Sequence, residues 1–187
     1  MNQNFEKLLA THCAPLLYGK KPSILLAKKS FPPNCEWELL WQYGFRVLWL
    51  RRRHQEEQTL MFLYHPALLE KAISHPATEQ ALCEMGYSYT SGLIGLLAFL
   101  RRRFIESNEF PHEVGFFLGY PPEDVMGFLS CKDHCKASGQ WKVYSDVKRA
   151  LTLFDEYTRC KQILLNHIKN GTSIFSIITP LITGENL

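Results

Sequence analysis

The chain has 187 residues, of which 46% are apolar and 21% charged, close to the average for soluble globular proteins. This length builds one compact domain and is too short for two ordinary ones, so we predict a single domain over residues 1–187. The formal net charge of +3 is too small to indicate a polyanionic partner by itself.

The sequence carries no sign of export or of membrane insertion. The opening residues, MNQNFEKLL, lack the basic segment and apolar run of a secretory signal. The longest apolar stretches, residues 93–100 and 174–182, fall short of the roughly 20 residues that span a bilayer. We therefore expect a cytoplasmic protein without a membrane partner, whose six cysteines are thiols rather than disulfides.

Two helices are predicted near the beginning of the chain. Residues 5–13 suit a short amphipathic helix that is ended by Pro15 and Gly19. A second helix begins at Asn34, a good N-cap residue, and ends at Gly44. Its apolar residues recur at the spacing of one helical face.

Three segments in the same part of the chain are rich in strand-forming residues. They are Ser23–Ala27 and residues 45–50 and 59–64. The charged residues 51–58 are interpreted as the loop of an antiparallel hairpin. Because a hairpin alone is marginally stable, we predict a small antiparallel sheet of about three strands in the N-terminal third, with helices covering one face.

The remaining two-thirds of the chain is predicted to be mainly helical. Pro66 and Pro76 each suit the first position of a helix. Residues 93–104 carry apolar side chains along one face of a longer helix. Ser145 is predicted to cap a final long helix that ends at Gly171. Strands early and helices late indicate the α+β class.

Residues 110–128, FPHEVGFFLGYPPEDVMGF, predict a short helical hairpin within that helical part. Pro111 and Pro122 suit helix starts, and Gly119 suits the turn between the two helices. This spacing resembles the helix-turn-helix motif. However, Glu123 and Asp124 occupy the end of the second helix that would face phosphates, which argues against DNA as a partner.

The same residues, together with GQWKVYSD and FDEYTRC further on, resemble an uncharacterised bacterial family catalogued as domain of unknown function 3793. HCAP at residues 12–15 and GKKPSIL at residues 19–25 are similar to the family's opening. The resemblance covers roughly residues 12–160. Gln140 departs from it, since an aromatic residue is expected before the Trp-Lys-Val-Tyr run. The resemblance implies no activity, cofactor or catalytic residue.

Aromatic, glycine and proline residues are dense from residue 110 to residue 144, which favours a binding pocket there. Aromatic rings supply contact area and an amine can fix an anion. A structural role is the alternative, in which Glu113 caps a helix and the aromatic residues pack against their neighbours. The predicted ligand-binding side chains are His112, Glu113, Tyr120, Trp141, Lys142 and Tyr144.

A metal or thiol site is the second hypothesis. Zinc sites use four ligands, usually cysteine and histidine, and iron is the other metal considered. The candidate ligands are His12, Cys13, Cys135 and Cys160. No CxxC motif occurs, so satisfied core or surface thiols are the favoured alternative.

Two arginine triplets, residues 51–53 and 101–103, support a third hypothesis, nucleic-acid binding. Their alternative is a solvated surface. The sequence therefore favours a cytoplasmic ligand-binding or regulatory domain whose partner is an unknown small molecule or protein. A metal- or thiol-dependent enzyme or redox protein is the rival, so the sequence leaves catalysis open.

Overall fold

The computed structural model describes residues 3–27, 31, 36–52 and 55–183, and the side chains of these except residues 52, 55–58 and 179–183. It confirms the α+β class, because a small antiparallel sheet is followed by a mainly helical chain. The strands of the sheet are β1 (Ser23–Ala27), β2 (Arg46–Arg52) and β3 (Gln55–Tyr64). They lie in the order β1-β3-β2, so β3 is central and pairs with both neighbours.

The β2–β3 hairpin is longer than predicted. Residues 51–58 were expected to be loop, but the strands continue through most of them and Arg52 pairs with Gln55. The register shifts between Leu50 and Arg52. Arg51 lies at this irregularity and is exposed, so its charge stays in solvent at the edge of the sheet.

Helices cover both faces of the sheet, whereas the sequence predicted one covered face. On β3, Met61 and Leu63 point into one hydrophobic core and Phe62 points into another. All three side chains are fully buried. The unbroken apolar run of residues 60–64 is typical of a strand buried on both sides rather than on one.

The first core is formed by the start and the end of the described chain. The predicted helix continues past Pro15, because a π-helical turn leads into one more helical turn in which Pro15 takes an early position. The helical residues end at Leu17, just before Gly19, the second predicted stop, which has a φ of 65°. Glu6 is buried and its carboxylate accepts a 2.8 Å hydrogen bond from the backbone N–H of Ile174. The helical elements here are α1 (Gln3–Leu8), the π-helical turn Leu9–Cys13, α2 (Ala14–Leu17) and the 3-10 helix Trp37–Tyr43.

The second core lies on the opposite face of the sheet, where the helix α5 (Gly92–Glu106) packs against β2. Pro66 and Pro76 open helices, as predicted. The elements are α3 (Pro66–Ile73), α4 (Pro76–Glu84), the 3-10 helix Tyr89–Ser91, α5 (Gly92–Glu106), α6 (Val114–Phe117) and α7 (Pro122–Ser130).

The last part of the chain contains the long helix that the sequence predicts. Its cap is Asp146, whose carboxylate accepts a 2.9 Å hydrogen bond from the backbone N–H of Arg149. Ser145, the predicted cap, instead donates its hydroxyl to Asp124. The remaining elements are β4 (Ala137–Ser138), β5 (Lys142–Val143), α8 (Val147–Lys169) and α9 (Ile174–Thr183). Within the described residues, no helix has the length and apolarity needed to cross a membrane.

Candidate functional site

Residues 110–128 form the predicted helical hairpin, with a shorter first helix than expected. α6 is a single turn that begins at Val114, because residues 111–113 form a separate turn. Pro122 opens α7 as predicted, and Gly119 between the helices has a φ of 73°. Glycine adopts this left-handed conformation without steric cost, so Gly119 allows the sharp reversal of the chain.

A cavity of about 270 Å³ lies against this hairpin. Three parts of the chain enclose it: the hairpin, the edge strand β1, and β5 with the residue that precedes it. The lining residues are Leu25, Phe110, His112, Val114, Gly115, Leu118, Tyr120, Asp124, Val125, Phe128, Trp141 and Lys142. Four of the six predicted ligand-binding side chains are therefore brought together. They are His112, Tyr120, Trp141 and Lys142.

The His112 ring lies between two phenylalanine rings of the cavity wall. Its centroid is 5.1 Å from that of Phe110 and 4.7 Å from that of Phe128. Burial, and then the charge of Lys132, lower the pKa of His112 below its ordinary value of 6.5, and two nearby glutamates offset this only in part. The imidazole is therefore neutral at pH 7 and offers one donor and one acceptor nitrogen.

Lys142 brings a positive charge to the rim of the cavity. Its Nζ donates a 3.0 Å hydrogen bond to the carbonyl oxygen of Lys132 and lies 5.7 Å from the ring centroid of Phe128. The side chain is exposed, so the ammonium group keeps most of its hydration. An acidic group on a bound molecule would meet this charge at the mouth of the cavity.

Trp141 forms a rigid wall. Its ring stacks on Tyr120 with centroids 4.9 Å apart, and the edge-on contact with Phe154 has a centroid distance of 4.5 Å. Its Nε1–H donates a 2.7 Å hydrogen bond to Asp124. Since both the ring and its polar atom are held, this wall is in place before any ligand arrives.

Asp124 is the site residue that sequence reasoning missed. Besides Trp141, it accepts hydrogen bonds of 2.8 Å from the backbone N–H groups of Tyr144 and Ser145 and of 2.7 Å from the Ser145 hydroxyl. Burial acts to raise the pKa of Asp124, but these hydrogen bonds outweigh it and the pKa lies below the ordinary 3.8. The donors come from 17 to 21 residues further along the chain, so no local pattern reveals them.

Glu113, another predicted ligand-binding residue, does not line the cavity. Its carboxylate accepts a 2.8 Å hydrogen bond from Nε of Arg103 and a 3.5 Å one from the Tyr87 hydroxyl. Only 3% of the residue is exposed. Glu113 therefore ties the start of the hairpin to α5 and the core, which is the structural alternative that the sequence left open.

Replacing Glu113 by glutamine should lower the free energy of unfolding by about 1–2 kcal/mol, because a charge-assisted hydrogen bond becomes a neutral one. Urea denaturation measures this change. Glu109→Gln, at an exposed position nearby, is the control and should have almost no effect. Ligand affinity of the cavity should be unchanged in both variants, and a large loss of affinity in Glu113→Gln would contradict this structural role.

Tyr144, the sixth predicted residue, also lies outside the cavity lining. Its hydroxyl donates a 3.0 Å hydrogen bond to the carbonyl oxygen of Lys132. Its side chain packs on Gly127 so closely that a Cβ on the glycine would lie 2.6 Å from Cβ of Tyr144. Tyr144 thus anchors the segment after β5 on α7, and small size at position 127 is required for that contact.

The predicted metal ligands are not assembled in the described part of the chain. There, no three His, Cys, Asp or Glu side chains lie together as a metal site would require. Cys13 and Cys160 are buried in the first core, and burial raises the pKa of both thiols. The cysteines that the structure describes are free thiols, and Cys35 lies outside the described residues.

The arginine triplets differ in their surroundings. Arg103 is bound to Glu113, and Arg102 lies 3.8 Å from Glu106 on the same helix. Arg51 is exposed, whereas the side chain of Arg52 and the whole of Arg53 are outside the described residues. The second triplet is therefore partly used in structural ion pairs.

Comparison with known proteins agrees with the resemblance seen in the sequence. A family model described as "Protein of unknown function (DUF3793)" matches residues 9–178. No curated protein and no solved structure matches the chain. The match covers most of the chain, and it includes the segments that enclose the cavity. The protein therefore belongs to the DUF3793 family.

Proposed function

We propose that this protein is a ligand-binding or regulatory domain. It binds a small, flat and mainly apolar molecule that carries one polar or acidic group. The observation that carries the proposal is the cavity of about 270 Å³ whose walls include four aromatic rings besides His112. Pockets for small molecules are usually lined by apolar and aromatic side chains with a few polar groups.

The size of the cavity limits the ligand. An engineered apolar cavity of about 150 Å³ binds benzene, so a volume of about 270 Å³ suits a molecule of two fused rings. The stacked pair of Trp141 and Tyr120 forms one flat wall. A planar ligand would contact such a wall over its whole face.

The polarity of the ligand is limited by which polar groups are free to bind it. The Asp124 carboxylate already accepts four hydrogen bonds, so it supports the wall rather than contacting a ligand. The neutral imidazole of His112 and the ammonium group of Lys142 are the partners that we assign to the ligand's polar group. A hydroxyl would suit His112, and a carboxylate would suit Lys142.

The proposal also includes the properties predicted from the sequence. These are a single domain, a cytoplasmic location in a bacterium, and a partner that is a small molecule or a protein rather than DNA. The metal-dependent alternative receives no support from clusters of three ligands among the described residues. Ligand binding is therefore the function that we put forward.

Calorimetric titration with 2-naphthol and 2-naphthoate tests the proposal. We expect dissociation constants on the order of 100 µM for molecules of this size in an apolar site. Phe128→Ala should weaken both ligands about tenfold, because it removes one aromatic wall. Lys142→Met should weaken the naphthoate but leave the affinity for naphthol unchanged.

Leu129→Ala is the matched control, because Leu129 is the next residue of α7, is also partly buried and does not line the cavity. It should leave both affinities within a factor of two. Absence of binding by either compound, or equal losses in Phe128→Ala and Leu129→Ala, would show that the cavity is not the binding site.

A further inference from the structure

A second recess, a groove of about 380 Å³, lies next to the cavity, and Tyr120 lines both. The groove is bounded by residues 19–22, by the starts of α4 and α7, and by one side of α8. Whereas the cavity is aromatic, the groove is basic. Its charged or titratable side chains, among the described residues, are Lys20, Lys21, Lys71, His75, Tyr120, Glu123 and Arg149.

Lys21 is the unusual member of this set, because only 8% of it is exposed. Its Nζ lies 4.9 Å from the ring centroid of Tyr120 and 5.9 Å from that of Tyr157. No ion pair or side-chain hydrogen bond of the described residues involves Lys21. A buried ammonium group without an anionic partner is costly, and two aromatic rings compensate for this only in part.

The other cations in the groove differ in whether they already have an anionic partner. Lys20 lies 2.8 Å from the carboxylate of Glu156, so its charge is already paired. Lys71 and Arg149 are exposed and approach the groove from different helices. Glu123 is the opposing charge, and its exposed side chain can turn toward solvent. The groove thus has an excess of positive charge around a buried, unpaired lysine.

One helix start adds to this positive field. Thr78, in the first turn of α4, lines the groove and is only 3% exposed. Helix N-termini carry partial positive charge and favour bound anions. The start of α7 also lines the groove, but the carboxylates of Glu123 and Asp124 in its first turn offset its partial charge.

We infer that this groove is an anion site for the phosphate or sulfate group of a small molecule, with Lys21 as its central contact and Lys71 and Arg149 as flanking contacts. The charge balance of the groove is completed by a doubly negative oxyanion. A monocarboxylate would leave part of the positive charge uncompensated. Burial also lowers the pKa of Lys21 to about 8, which agrees with an ammonium group that lacks an anion.

Thermal unfolding of the full chain with sodium sulfate and sodium phosphate tests this inference, with sodium chloride at equal ionic strength as the reference. At ten times the dissociation constant we expect each oxyanion to raise Tm by about 4 °C relative to chloride. Sodium acetate should give a much smaller rise. The quantity compared between variants is this anion-induced shift, not Tm itself.

Lys21→Met should abolish the shift and Arg149→Met should reduce it. Lys148→Met is the matched control, because Lys148 is exposed, adjacent to Arg149 and outside the groove lining, and it should retain the full shift. An equal effect of chloride and sulfate, or a full shift in Lys21→Met, would overturn the inference. Since 2-naphthol is uncharged, its binding to the cavity is measured independently, so failure of one site leaves the other result intact.

Discussion

Replacing Asp124 by alanine should lower the free energy of unfolding by about 4 kcal/mol, because it leaves four donors without their acceptor, of which the Trp141 indole N–H is buried and the three from Tyr144 and Ser145 are partly buried. In a chain of this length, such a loss lowers Tm by on the order of 10 °C. The segment from Trp141 to Ser145 should also detach from α7, so affinity for cavity ligands falls as well. Chemical denaturation followed by circular dichroism measures the stability change.

Glu123→Ala is the matched control, since Glu123 precedes Asp124 in the first turn of α7 and is exposed. It should cost less than about 1 kcal/mol, the value of a carboxylate near a helix start. Equal destabilisation by the two variants would mean that the hydrogen bonds of Asp124 contribute little. Asp124→Asn, which keeps one acceptor oxygen, should fall between them.

The contribution of Asp124 should also depend on pH in a defined direction. Its pKa is lowered in the folded protein, so the folded state binds the proton less well than the unfolded state. The stabilisation is therefore complete above the ordinary value of 3.8 and is lost as pH falls below it. The difference in unfolding free energy between wild type and Asp124→Ala should shrink in that acidic range.

Replacing Lys21 by methionine should stabilise the protein at pH 7 in the absence of oxyanions. Burial lowers the pKa of Lys21 from 10.5 to about 8. Since one pKa unit corresponds to about 1.4 kcal/mol, the charged lysine destabilises the folded state by roughly 3 kcal/mol. Methionine fills a similar volume without a charge, so most of that cost should disappear. Tm should rise by several degrees.

The sign of the pH dependence follows from the same pKa. Between about pH 8 and 10.5 the unfolded chain binds the lysine proton and the folded protein does not. The unfolding free energy of the wild type therefore rises with pH over this range relative to that of Lys21→Met. The advantage of the variant is thus complete below pH 8 and lost by about pH 10.5. Lys21 contacts the rings of Tyr120 and Tyr157. The other charged or titratable groups of the described residues around it are those lining the groove and the partner of Lys20, namely Lys20, Lys71, His75, Glu123, Arg149 and Glu156.

Two of those groups could confuse the comparison if they ionised in the same range. Burial raises the pKa of Tyr120 above its ordinary value of 10.0 and raises the pKa of Tyr157 to about 12, so in the folded protein both phenols ionise less readily than a free tyrosine and Tyr157 stays neutral over this range. Lys20→Met is the control, because Lys20 neighbours Lys21 and pairs with Glu156. It should be neutral or slightly destabilising at pH 7, and an equal stabilisation by both variants would refute the assignment to Lys21.

Elements with local signals could be predicted from the sequence. The strand Ser23–Ala27 is an apolar run between lysines, and its predicted bounds are those in the structure. Pro66 and Pro76 open helices because proline's missing N–H is not needed at a helix start. The cap of α8 was assigned to Ser145 rather than Asp146, since either side chain suits a cap and only the distant Asp124 decides between them.

The candidate site was predictable to a similar extent. The high density of aromatic residues predicted Trp141 and Tyr120 as ligand-binding side chains, and their rings stack in the structure. Lys21 and Asp124 were not found, because their roles depend on burial and on partners from other parts of the chain. In the sequence, Lys21 is one lysine beside another, and only the fold distinguishes it from Lys20.

The strand order β1-β3-β2 has a consequence for the kinetics of folding. β2 and β3 pair between residues close in sequence, such as Arg52 with Gln55, whereas β1 meets β3 through pairs such as Ala27 with Leu60, 33 positions apart. Closing the larger loop costs more entropy, so we expect the hairpin to form early and β1 to dock late. Because Leu25 of β1 lines the cavity, the cavity is completed only in that late step.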